Sequence, residues 1–213
     1  DMAMVQQRKQ EVINQLRAGI AALMKTNKIA VYSGTGTIVD RCHVSVRSES
    51  GEPVLLETDH ILIATGSVPA CPPIPGADLP GVVTSDGLLD KQDMFGHLII
   101  IGGGVIGMEF ASIYSSLGHP VTVIEALDRI LPGMDKEIAQ NLKMILKKRG
   151  TDIHTGARVE EILRAGDGRG LACRFVEKDK AWEVTADGIL IATGRRAYTG
   201  GLISEESSQD IKD

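Results

Sequence analysis

The chain has 213 residues, with 23 lysines and arginines against 28 aspartates and glutamates, a net charge of −5 and only 3% aromatic residues. That is chain enough for one large or two small domains with real cores, but it lacks the basic clusters and aromatic platforms that hold nucleic acid and any apolar run able to span a bilayer. Three scattered cysteines, Cys42, Cys71 and Cys173, suit a reducing cytosol with idle thiols better than a disulfide framework or a zinc site.

The first expected element is an amphipathic helix over about residues 4–25, with Ile13, Leu16, Ile20 and Leu23 on one face. Its polar beginning has no secretory-signal character. Short β-like runs follow at 29–32, 37–39, 43–46 and 54–57, separated by turn residues, and read as a small antiparallel meander. Residues 60–64, HILIA, read as a buried strand. The proline-rich stretch from Pro69 through Pro72, Pro73 and Pro75 to Pro80 cannot continue a strand or helix and is expected to be a linker.

Residues 98–125 carry the strongest signal. Four apolar residues at 98–101 form a buried strand that runs into Gly102, Gly104 and Gly107, spaced G-x-G-x-x-G. The first glycine permits a tight turn, the second a close backbone approach, and the third helix–strand packing. A helix then presents Ile106, Phe110, Ile113 and Leu117 to the sheet and stops at Gly118. A second strand, 121–124, ends at Glu125. Phosphates would sit at the helix N-terminus, and a carboxylate at Glu125 would accept the ribose hydroxyls of NAD but repel the 2′-phosphate of NADP. Arg129 lies close enough in sequence to soften that repulsion.

Further on, a helix capped by Asp135 carries Ile138, Leu142 and Ile145 inward and ends at Gly150. The basic run Lys143, Lys147, Lys148 and Arg149 falls in its last turns, where it complements the dipole. Strand-like runs at 158–163, 171–177 and 182–185 lead to GILIA at 188–192, and the polar residues 204–213 read as loose. HILIATG and GILIATG are one device used twice, each after a meander, so the chain reads as two nucleotide-domain halves in tandem. His43, His60, His97, His119 and His154 have no spacing that suggests a metal or a base.

The stretches ILIATGSVP from residue 61, GGGVIGMEFASIYSSLG from 102, VTVIEALDRILPGMDKEIA from 121 and ILIATGRR from 189 resemble, in this order, the middle of the flavin-dependent pyridine nucleotide–disulfide oxidoreductases, the dihydrolipoyl dehydrogenases above all. They cover nearly the whole chain apart from its polar tail. The resemblance implies an α/β fold: a Rossmann-like three-layer NAD-binding domain with a β-meander at residues 91–198, and part of a similar FAD-binding domain at 1–90. Residues 199–213 return toward the FAD domain. It also implies NAD as a cofactor, and FAD in the full-length parent. The parent would exchange hydride between NAD and FAD while oxidising a dithiol such as dihydrolipoamide, as a homodimer serving a 2-oxoacid dehydrogenase complex.

By the same resemblance, Gly102, Gly103, Gly104, Val105, Ile106 and Gly107 hold the NAD pyrophosphate and Glu125 the adenosine ribose. Glu109 matches an acid near the nicotinamide end, though it equally suits an acid stabilising the helix dipole. Val159 and Gly194 match positions on the adenine side and at the nicotinamide riboside. Thr65, Gly66 and Ser67 match a turn that touches FAD. Gly36 matches a backbone approach to the flavin's adenine, and equally suits plain turn chemistry.

The sequence also departs from the family. Its first glycine fingerprint for FAD, its cysteine pair separated by four residues and its C-terminal dimerisation domain with a His–Glu base are absent, so no catalytic residue is assigned. His119 lies between the helix and second strand of the fingerprint unit, where a surface loop explains it. Ala197-Tyr198 replaces the family's Pro-Asn. Headed by Asp1, the chain reads as a fragment of a larger enzyme, inactive alone. Two alternatives stay open: an NADH-dependent flavoprotein oxidase or ferredoxin-reductase-type enzyme, which needs no cysteine pair, and a non-catalytic NAD-binding module. GMDKEIA, after Pro132, favours the dihydrolipoyl dehydrogenase type.

Overall fold

The computed structural model describes residues 1–49, 51–166 and 168–204, and divides into two compact units. One holds residues 3–68 and 197–204; the other holds 69–196. Lys91, where the sequence reading divides the chain, lies inside the second unit.

In the first unit, α1 (Met2–Thr26) is capped by Asp1, whose carboxylate accepts the Ala3 N–H at 2.9 Å. The helix forms as its periodicity predicts, yet it buries no residue, and Leu16, Ile20 and Leu23 are exposed. Three antiparallel strands follow in the order β1 (Thr35–Ile38), β2 (His43–Arg47) and β3 (Val54–Glu57). Residues 198–204 run beside them: Ile38 donates to the Leu202 carbonyl at 2.7 Å and accepts from the Ser204 N–H at 3.0 Å. The expectation that 205–213 are loose lies outside the described residues.

Two expected strands do not form: residues 29–32 and 60–64 belong to no ladder, and Leu62 is 90% exposed. The hairpin strands find partners through short turns. An isolated apolar run must draw its partners from distant chain, and none of the described residues supplies them.

The chain crosses between units within β4 (Ser67–Pro69). In the second unit, β5 (Val82–Thr84), α2 (Ser85–Asp90), β6 (Leu98–Ile101), α3 (Val105–Ser116), β7 (Val121–Glu125), α4 (Lys136–Lys148) and β8 (Asp152–Thr155) are followed by a meander. Its strands are β9 (Ala157–Arg164), β10 (Leu171–Glu177) and β11 (Lys180–Ala186), after which come β12 (Gly188–Ile191) and β13 (Arg195–Ala197). Five strands pair in parallel in the order β5-β12-β6-β7-β8.

The expected three layers follow from side-chain alternation. Leu98 and Ile100 point into a core with Met108, Phe110, Ala111, Tyr114 and Leu146 from the helices. Ile99 and Ile101 point the other way, onto Ile162, Leu171, Cys173 and Phe175 of the meander. A strand buried on both faces reads as an unbroken apolar run, which is why LIII is legible as one.

The inward faces of both helices differ from expectation. α3 buries Gly107, Met108, Phe110, Ala111 and Tyr114, while Ile113 and Leu117 are exposed. α4 buries Ala139 and Leu146, leaving Ile138 and Ile145 half exposed, though Asp135 caps it as expected. On α3 a small residue sets the face: Gly107 sits so close to strand and loop that the helix turns this side to the sheet, with Met108, Phe110 and Tyr114 packing around it.

Cys173 is fully buried in the meander-side core, and burial pushes its thiol up to about 12. Cys42 and Cys71 are exposed. A thiol reagent at pH 8 is therefore expected to label two cysteines quickly and Cys173 only on unfolding; fast labelling of Cys173 would contradict its burial.

Candidate functional site

The ends of β6, β7 and β12 meet at a cavity of about 630 Å³ that lies entirely within the 69–196 unit. The chain turns out of β6 at Gly102, whose φ of +114° favours glycine and whose absent Cβ would strike the Ala192 carbonyl oxygen. Gly102 donates to the Ile124 carbonyl at 2.9 Å, and Ala192 donates to that of Ile101 at 2.8 Å. These bonds carry the loop and the end of β12 as one frame. A Cβ on Gly107 would strike the Gly102 carbonyl oxygen, so this residue sets how closely α3 approaches the loop.

α3 begins at Gly104 with no side-chain cap and no acid in its first turn. Its first N–H groups thus keep their capacity for an anion, reinforced by the helix dipole. Gly104 lines the cavity, and a Cβ there would meet no protein atom within 4 Å.

Glu125, buried at the end of β7, is held from two sides. One carboxylate oxygen accepts the Gly103 N–H and the other the Leu127 N–H, the latter at 2.7 Å. A Cβ on Gly103 would sit 3.0 Å from that of Glu125, so Gly103 owes its identity to the acid above it. Each carboxylate oxygen has a second lone pair to offer a ligand.

Gly102, Gly104, Val105, Ile106, Glu125, Val159 and Gly194 all line the cavity. Gly103 and Gly107 stand behind it as supports. Glu109 is exposed on α3 and is not among the lining residues. Gly36, Thr65, Gly66 and Ser67 belong to the other unit and are exposed; the Thr65 hydroxyl donates to the Tyr198 carbonyl at 2.6 Å.

The sequence reading missed several walls. Pro72 and Ile74 line the cavity, so the proline-rich stretch is more than a linker. Pro75 accepts the Ile162 N–H at 2.8 Å, and Gly76 lies against the Ile162 carbonyl. A run that cannot join a ladder can still form a rigid wall, and its prolines were the available signal. Arg129, expected to temper Glu125, instead donates to the Pro132 carbonyl at 2.7 Å. Among the described residues the one lining cation is Arg158.

Parallel strands, a glycine loop entering an uncapped helix and an acid at the next strand's end define the Rossmann-like, three-layer α/β class, whose crevice lies at the carboxyl ends of the strands. The chain belongs to the pyridine nucleotide-disulphide oxidoreductase family, whose description matches residues 2–212. It is 37% identical over 204 residues to dihydrolipoyl dehydrogenase 3 of Pseudomonas putida, covering 95% of this chain and 43% of that protein. With the dihydrolipoamide dehydrogenase of Chaetomium thermophilum it shares 39% over 197 residues, covering 91% and 39%.

Among solved structures, LpdA of Mycobacterium tuberculosis superposes with a TM-score of 0.82 at 27% identity, covering 95% of this chain and 44% of that one. The HOCl-induced flavoprotein disulfide reductase RclA of Escherichia coli gives 0.76 at 34% identity, covering 92% and 43%. The chain thus spans less than half the length of these relatives. Among the described residues no helix is long and apolar enough to cross a membrane, and no cluster of His, Cys, Asp and Glu could hold a metal.

Proposed function

We propose that this chain is the NAD-binding portion, with part of the FAD-binding portion, of a flavin-dependent oxidoreductase of the dihydrolipoyl dehydrogenase type. The observation that carries this reading is Glu125, fixed by the Gly103 and Leu127 N–H groups at the mouth of a cavity that also takes in the start of an uncapped helix. A dinucleotide fits these groups in order: ribose hydroxyls on the carboxylate, pyrophosphate at the first N–H groups of α3, nicotinamide riboside toward Gly194.

Bound NAD and FAD would supply the hydride chemistry. The chain's own residues bind and orient. Glu125 would accept hydrogen bonds from two ribose hydroxyls without moving, because its carboxylate is already aligned. The apolar walls at Ile101, Ile106 and Ile124 exclude water from the crevice. The flavin side is different: Gly36, Thr65, Gly66 and Ser67 are exposed, and the Thr65 hydroxyl is spent on Tyr198. These residues make no flavin cradle by themselves, so no step of the chemistry rests on them.

The chain alone is therefore read as binding NAD(H) without turnover, with hydride exchange and dithiol oxidation belonging to the complete protein. Absorbance and NADH fluorescence, recorded on the chain before and after FAD and then NADH are added, test this. Saturable fluorescence change with no flavin bleaching is the expected result. Bleaching would make the chain itself a competent flavoprotein, and the lack of any NADH response would remove the dinucleotide reading.

A further inference from the structure

Resting on the dinucleotide reading above, we infer that Arg158 forms the outer wall of the adenine slot, its guanidinium lying flat on the base opposite Leu127. Among the described residues that line the cavity, Glu125 is the only anion and Arg158 the only cation.

Their places along the sheet fix which part of a dinucleotide each would meet. Thr155 on β8 is the register partner of Glu125, and Gly156 donates to the Leu127 carbonyl at 2.7 Å. Arg158 follows two residues later on β9. It therefore stands beyond the ribose-reading acid, on the side away from the helix N-terminus, where the base must project.

The surroundings suit an aromatic ring more than a second phosphate. Leu127 lines the cavity and is 52% exposed, so about half of its apolar surface is open to a ligand. Ala126 and Val159 add apolar walls. A 2′-phosphate would face Glu125, which is locked in place and cannot swing aside. Arg158, by contrast, is free to adjust: its side chain is 77% exposed and held only by a 3.6 Å ion pair to Glu160, a contact of little strength at a surface. A planar guanidinium stacks on a π-face in a way that an ammonium does not.

The test titrates the 213-residue chain and its variants with NADH, ADP-ribose and NADPH. Arg158→Ala is expected to weaken NADH and ADP-ribose equally, by about three- to tenfold, since both carry the adenosine. Arg158→Lys keeps the charge and should recover only part of the loss. Glu160→Gln, which releases the guanidinium, should leave affinity unchanged or raise it. Unchanged ADP-ribose affinity in Arg158→Ala overturns the inference, as does a loss confined to NADPH, which would make Arg158 a phosphate reader. Full rescue by lysine also overturns it, because charge alone would then suffice. A wild-type chain that binds neither NADH nor ADP-ribose removes the dinucleotide reading and this inference with it.

Discussion

Glu125→Ala is expected to weaken NADH binding by about 1–3 kcal/mol, some 5- to 150-fold, through the loss of charge-assisted hydrogen bonds to the ribose. The same substitution strands the N–H groups of Gly103 and Leu127, which the carboxylate now satisfies. Part of any loss could thus come from a disordered loop, and NADPH separates the two causes. Its 2′-phosphate gains from removal of the negative charge, so NADPH should lose less than NADH, or even gain. Gly103→Ala attacks the acid from below: the new methyl would stand 3.0 Å from the Glu125 Cβ and displace it. Equal losses for both cofactors in Glu125→Ala, measured by fluorescence titration, would mean that Glu125 supports the loop but does not read the ribose.

The largest effect on stability is expected at Phe175. This is the largest fully buried side chain, on the middle strand of the meander, with its ring 4.8 Å from that of His154 and stacked with Trp182 at 6.3 Å. Phe175→Ala should cost about 3–5 kcal/mol, combining lost apolar burial with the cavity left behind. That is a large part of the stability of a domain this size. Because Phe175 does not line the cavity proposed for the dinucleotide, NADH affinity below the unfolding transition should change little. An unfolding free energy from urea titration within about 1 kcal/mol of wild type would show that the meander can close over the hole and that its packing is less specific than the geometry implies.

Most of the second unit was legible in the sequence because its signals are local. The run LIII, the glycine spacing and Glu125 lie within one stretch of chain, and each names its own neighbour. The cavity's loop and acid were found for that reason. What escaped was set by distant partners. Val82–Thr84 is only three residues long, and it is a strand because β12 pairs with it. HILIA and GILIA look alike, yet only the second lies between two parallel neighbours. Arg158 and Ile74 reach the cavity from β9 and from the proline-rich stretch, and no spacing links either to the glycine loop. Helix faces failed for a further reason: hydropathy ranks Ile113 and Ile138 as core residues, whereas the close approach of α3 at Gly107 brings Met108, Ala111 and Tyr114 to the sheet instead.

The ends of the 69–196 unit lie side by side. Ala70 donates to the Gly194 carbonyl at 2.9 Å and accepts the Thr193 hydroxyl at 3.1 Å. A module whose entry and exit strands touch asks its host for no more room than a tight turn, and the loop-closure entropy of seating it is small. Such a module is a portable cassette. Spliced into a surface loop of an unrelated reporter, residues 70–194 would carry their own stapled base, and because Thr193 and Gly194 also line the cavity, a ligand seated there would bear directly on the junction rather than on a floppy tether.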